Sequence, residues 1–169
     1  QTPSSFEENF FHTSSTYIHP SASLGPNVKL GKNVKVGPGC IILGNTTIGD
    51  GTRIYAHVSI GFPAQDTSTT EPQGSIFIGS NCHVREFVSI HAPKVAGAST
   101  RIGNECYLMN HSHIGHDVVL EDNVVLINNA NLGGHVYVEK GAMLMAGCAV
   151  HQFCRIGALS CLTPFSASR

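Results

Sequence analysis

The chain has 169 residues, ten Lys+Arg against eleven Asp+Glu, a formal net charge of −1 and 12% charged residues, which fits one nearly neutral domain. That balance excludes the electrostatic pull on nucleic acid or anionic membrane that a basic patch supplies. No apolar run approaches the roughly 18 residues of a membrane span, and no basic, apolar, small-residue leader opens the chain, so a cytoplasmic protein without a transmembrane segment is expected.

Residues 1–17 (QTPSSFEENFFHTSSTY) show no period and read as an irregular N-terminal arm or an edge cap. The missing initiator Met points to a native start other than residue 1. From Ile18 a strict pattern begins. Stepping by six to Leu162 visits 25 positions, and 22 carry Ile, Leu or Val; only Asp66, Pro72 and Ala96 break the series. A period of six is neither helical nor plain alternation, and belongs to the parallel β-helix class of repeats. Between the aliphatics lie turn formers such as Gly25-Pro-Asn27, Gly31-Lys-Asn33, Gly49-Asp-Gly51 and Glu121-Asp-Asn123, with Asn or Gly often third, where a positive φ is best tolerated. Three strand-and-turn sides close a triangular coil of 18 residues. The expected fold is therefore all-β, a parallel β-helix over residues 18–169 in about eight coils stacked at the inter-strand spacing of roughly 4.8 Å. Cys40, Cys82, Cys106, Cys148 and Cys154 share one phase, four residues after a repeat aliphatic, and read as small buried hydrophobes; Cys161 lies off it.

Two stretches leave the repeat without changing its phase. Residues 61–77 (GFPAQDTSTTEPQGSIF) and 91–101 (HAPKVAGASTR) are polar loops on a rigid scaffold, where binding residues concentrate. The ten histidines also gather. Stacking by 18 places Gly115, Gly133 and His151 on one line, His116, Gly134 and Gln152 on the next, and Asp117, His135 and Phe153 on a third. These triplets form one corner of the prism on three successive coils, with His113 on the flat face before it. Such a patch supports general-base chemistry. A neutral imidazole takes a proton, a carboxylate orients it, and a glycine N–H receives a developing oxyanion. His116, Asp117 and Gly134 are the candidates, and the arrangement reads as acyl transfer without a covalent enzyme intermediate.

The segments HSHIGHD (111–117), GGHV (133–136) and VHQFCRIG (150–157), with Gln65-Asp66 and REFVSIH (85–91), resemble the UDP-N-acetylglucosamine acyltransferase family of lipid A biosynthesis. The resemblance implies a left-handed β-helix assembled as a parallel homotrimer, with active sites in clefts between subunits. It implies His116 as general base, Asp117 as its orienting group and the Gly134 N–H as oxyanion donor. His113, His135, His151 and Gln152 would contact the nucleotide sugar or line the cleft, with His91 near it. Gln65 and Asp66 would reach across from a loop of the adjacent subunit. The donor would be a hydroxyacyl chain on acyl carrier protein and the acceptor a UDP-sugar, with neither metal nor cofactor. Two departures stand out: Thr67, Ser68 and Thr69 follow Asp66, where family members commonly place a Lys, and the family's C-terminal helical domain is absent from these residues.

Three other readings compete. A γ-type carbonic anhydrase would use His111 and His116 as zinc ligands, although Ser75 and Ser80 stand where its third ligand is expected. An N-acyltransferase on an amino-sugar nucleotide, with acyl-CoA or acyl carrier protein as donor, would use the same base. A scaffold that only binds would need none of the His116, Asp117 and Gly134 set.

Overall fold

The computed structural model describes residues 5–169 as a parallel β-helix. Its strands form three all-parallel sheets of eight, eight and seven strands, starting at Tyr17–Ile18, Ser23–Leu24 and Lys29–Leu30. Most strands are two residues long, and partners sit 18 residues apart, as in Tyr17↔Lys35, His113↔Asn131 and Val119↔Tyr137. The insertions do not disturb this register, since Ile48 lies opposite Ile78 and Ile78 opposite Ile102.

The six-residue aliphatics form the core. Ile42, Ile54, Ile60, Leu108, Ile114, Leu126, Leu132 and Leu144 are fully buried, each stacked on its equivalent in the next coil. Cys40, Cys82, Cys106 and Cys148 fill the smaller inward position as buried free thiols; Cys154 is half-buried and Cys161 exposed. Their Sγ–H groups donate to carbonyls beside them, as Cys40 does to Tyr55 O at 2.7 Å. Thr46, Thr52 and Thr100 take the same position, fully buried, each donating its hydroxyl to a main-chain carbonyl. A polar group in the core is tolerated there because its hydrogen bond is met.

Most corners turn on a residue with φ near +60°. Asn33, Asn81, Asn123 and Asn129 occupy some, but Asp117 (60°), His135 (59°) and Phe153 (65°) hold the corner after the second sheet. Larger side chains are uncommon in this region, and His57, Phe87 and His111 form a similar stacked column at another corner.

Two boundaries differ from the sequence reading. The expected irregular arm is helical over Ser5–Glu7 and Glu8–His12, with a π-type second turn; residues 1–4 lie outside the described residues. Phe10, 1% exposed, packs edge-on against Tyr55 with ring centroids 5.3 Å apart. The Lys35 ammonium rises from the outer face of the first sheet to meet Asn9 O at 2.6 Å, Thr13 Oγ1 at 2.7 Å and Ser15 O at 2.6 Å. Burial, then the charge of Arg53, push that amine below the ordinary lysine pKa. Two helical turns are too few for a periodic signal. The loops are also shorter than expected, because Ser59–Phe62, Ser75–Ile78 and Ser99–Ile102 extend to four residues at their bases. Irregular chain is confined to 63–74 and 92–98.

Candidate active site

The corner after the second sheet carries the candidate site. His116 and Asp117 follow the strand His113–Ile114, and their neighbours one coil on follow Asn131–Leu132. Adjacency on the turn aims both side chains together: His116 Nδ1 lies 2.8 Å from Asp117 Oδ2. The side chains are 16% and 8% exposed, so this pair is poorly screened by solvent. A carboxylate accepts only, so Nδ1 carries the proton and Nε2 is left as the basic nitrogen. Gly134 sits on the next coil against that nitrogen; a Cβ added there would come within 2.4 Å of His116 Nε2. Among the described residues no acceptor takes the Gly134 N–H.

Asp117 is held from several sides. Its N–H donates to Thr100 Oγ1 at 2.9 Å, and that hydroxyl donates to His91 O at 2.9 Å. The Lys94 N–H donates to Asp117 Oδ2 at 3.1 Å, and His135 Nε2 stands 3.8 Å from the same oxygen.

A cavity of about 460 Å³ opens in front of the pair, lined by Gln65, Asp66, His91, His113, His116, Gly134, His151 and Gln152 among others. Eight of the ten residues singled out from sequence thus share one space. Asp117 and His135 do not line it. Asp117 stands behind His116, while His135 contacts Asp117 and stacks on Phe153 with centroids 4.5 Å apart and planes 5° apart. With φ of +59°, His135 points along the corner column rather than into this cavity. Gln65 and Asp66, expected from an adjacent subunit, line the cavity of the same chain as His116.

A β-bulge aims His91. Ile90 pairs with Ile60 but His91 with Phe62, leaving Gly61 as the extra residue at φ +91°, where a Cβ would strike Leu43 O at 2.3 Å. Bulges redirect side chains beside functional sites. His91 is 8% exposed and donates Nδ1–H to Pro63 O at 2.6 Å, tying the first loop to the second sheet. His113 Nδ1 lies 2.8 Å from Ser89 Oγ, and its pKa is pushed down to about 4 by burial, then by His91, so it is neutral near pH 7. His151, exposed, donates Nδ1–H to Gln152 O at 3.2 Å.

Asp66 accepts from the Ser68 hydroxyl and, at 2.8 Å, the Ser68 N–H; Lys94 Nζ lies 2.9 Å away. The Ser68 hydroxyl first, then Lys94, hold its carboxyl well below the usual carboxylate range. A lysine is therefore present beside the loop aspartate, but it comes from the second insertion. Sequence reasoning missed Lys94, Thr100 and Ser89. Thr100 alone carried a signal, as a polar residue at the inward phase shared by the cysteines.

As for metals, His116, Asp117 and His135 are the group among the described residues whose donor atoms, all within 4.8 Å, could hold an ion. The carbonic anhydrase set does not assemble: His111 stacks on Phe87 at a different corner, with centroids 4.9 Å apart. A second cavity of about 460 Å³, lined by Asn27, Leu43, Asn45, Thr46 and Gln73 among others, holds no titratable side chain. No described helix is long and apolar enough to cross a membrane.

A triangular β-helix with a His–Asp pair beside a glycine at one corner has the architecture of the hexapeptide-repeat class. The repeat family described as bacterial transferase hexapeptide (six repeats) matches residues 14–44 and 27–61. The UDP-N-acetylglucosamine acyltransferase from Campylobacter jejuni is 30% identical with a TM-score of 0.63, the match covering 92% of this chain and 69% of that one. LpxA from Acinetobacter baumannii superposes with a TM-score of 0.76 at 29% identity, over 90% of this chain and 66% of the other. The acyl-(acyl-carrier-protein)–UDP-N-acetylglucosamine O-acyltransferase of Sinorhizobium fredii is 41% identical over 118 residues, 69% of this chain and 44% of its own length. The chain belongs to the UDP-N-acetylglucosamine acyltransferase family, and its fold is the left-handed parallel β-helix of that family. It spans less than half the length of the curated relatives it matches.

Proposed function

We propose that this chain transfers a hydroxyacyl group from an acyl carrier protein thioester to the 3-hydroxyl of UDP-N-acetylglucosamine, the first step of lipid A biosynthesis. The observation that carries this reading is the His116–Asp117 pair, 2.8 Å apart, with the remaining imidazole nitrogen facing the glycine whose N–H is free. In the reaction His116 Nε2 removes the proton from the sugar hydroxyl as its oxygen attacks the thioester carbonyl. Asp117 stabilises the imidazolium that forms, and the Gly134 N–H receives the oxyanion. Collapse of the tetrahedral intermediate expels the carrier thiolate, which takes the proton back from His116. Charge builds on the carbonyl oxygen only beyond the ground state, so a preset N–H there lowers the barrier rather than tightening substrate binding.

Gln65, Asp66, His91, His113, His151 and Gln152 are assigned to the nucleotide sugar. His113, neutral near pH 7, serves as a polar contact and not as a cation. We place the enzyme in the cytoplasm, as a homotrimer. Exposed apolar side chains along the corners, Phe153 at 69% and Phe165 at 83%, support burial between subunits. The experiment is mass spectrometry of products after offering UDP-N-acetylglucosamine and its 3-amino analogue with acyl carrier protein and coenzyme A thioesters. The expected product is the 3-O-acyl sugar nucleotide from the carrier thioester. Product from the 3-amino analogue alone would replace ester formation with amide formation.

A further inference from the structure

We propose that Lys94 is a positioning residue that keeps His116 in its base-competent tautomer, acting on Asp117 through its amide and on Asp66 through its ammonium. Only its kinetic test rests on the acyl-transfer reading.

Lys94 lies in the 92–98 loop and touches two carboxylates at once. Its N–H donates to Asp117 Oδ2 at 3.1 Å, and its Nζ lies 2.9 Å from Asp66 Oδ2. One residue thus joins the first insertion, through Asp66, to the group that orients the base. Before Lys94 the loop is anchored, with Ala92 and Pro93 buried and the Ala92 N–H donating to Phe62 O at 2.9 Å, whereas after it the chain is open. Its neighbour Val95 is 58% exposed, and Gly97 would meet nothing within 4 Å were a Cβ added. Any residue at position 94 carries an N–H, but keeping that N–H on Asp117 requires the loop to stay seated, and the ion pair adds a tether on the open side of the loop.

Asp117 Oδ2 is a contested acceptor. His116 Nδ1 holds it at 2.8 Å, while His135 Nε2 waits at 3.8 Å. The Lys94 amide fixes the carboxylate in the orientation that serves His116. With the loop released, Asp117 is free to turn toward His135, and His116 Nδ1 loses its acceptor. The neutral imidazole then also populates the Nε2–H form, which puts a proton on the nitrogen facing Gly134 and turns a base into a donor. The pair with Asp66 is part-exposed, at 39% and 31%, and such pairs are individually weak. Its loss should shift a population of conformers and not abolish the site.

The test uses the full chain in four forms: wild type, Lys94→Met, Lys94→Arg and Asp66→Asn. Long-range 1H–15N spectra of the imidazoles, recorded at neutral pH without substrate, read the His116 tautomer directly. Wild type should show the Nδ1–H form, Lys94→Met and Asp66→Asn a mixture, and Lys94→Arg a return to Nδ1–H. In turnover, Lys94→Met should lower kcat about tenfold through misplacement of the base, with a smaller change in KM and recovery in Lys94→Arg. An unchanged Nδ1–H tautomer in Lys94→Met would overturn the proposal. So would a raised KM with kcat intact, which would make Lys94 a cation for ground-state binding. Because the spectra need no substrate, a tautomer shift in a protein that acylates no offered sugar would sustain the positioning role while removing the proposed reaction.

Discussion

Gly134 is the residue on which the site's geometry turns most sharply. Its φ is not in the left-handed region, so alanine meets no backbone penalty, but the new methyl would stand 2.4 Å from His116 Nε2. Gly134→Ala keeps the N–H and should fold and melt close to wild type, while its methyl displaces the base and lowers kcat by roughly a hundredfold. Steady-state kinetics with thermal melting separate the two effects. His113 gives a pH signature of its own. Its pKa of about 4 in the folded state lies below the roughly 6.5 of a free imidazole. Between those values the unfolded chain binds a proton that the folded site excludes. Stability is thus complete above about pH 6.5 and is lost as the pH falls toward 4, by roughly 1–3 kcal/mol for this group. His113→Gln should flatten the melting temperature across that window, and an unchanged slope would assign the acid sensitivity elsewhere.

At the level of elements, the six-residue period was legible because each strand buries one aliphatic and each turn exposes a short polar run. The corner column of Asp117, His135 and Phe153 followed from the same arithmetic, as did the meeting of His116 with Gly134. What the pattern could not carry was direction beyond the turn. His135 is placed beside His116 by the 18-residue stack, yet its positive φ sends it to Phe153 and Asp117 instead of the cavity. Lys94 was hidden for a different reason: irregular loops carry no register, so nothing in the spacing linked it to Asp66 or Asp117. The N-terminal helix escaped because its hold on the coils comes from scattered side chains, Phe6, Phe10 and Lys35 among them, with no period to link them. Phe10→Ala should cost about 3 kcal/mol locally. Hydrogen exchange should report this as lost protection over residues 8–16 with the catalytic corner unchanged; deprotection spreading along the coils would show the helix to be part of the global core.

Across the whole molecule, a solenoid propagates stability by neighbour contacts and so leaves its corners free to vary. Here one corner on three successive coils carries His116, Asp117, Gly134 and His151, the groups proposed to act in acyl transfer. Two insertions from earlier coils fold over it, bringing Asp66 and Lys94 to a site whose base lies on a later coil. The rigid stack sets the spacing of imidazole, carboxylate and amide, and the loops bring Asp66 and Lys94 beside them.

The measurement that bears most directly on this account is single-turnover acyl transfer by His116→Ala, with assembly and melting compared in parallel. A drop of roughly two to four orders of magnitude in an otherwise intact protein is the predicted result. Turnover comparable to wild type would contradict the assignment of His116 as the base.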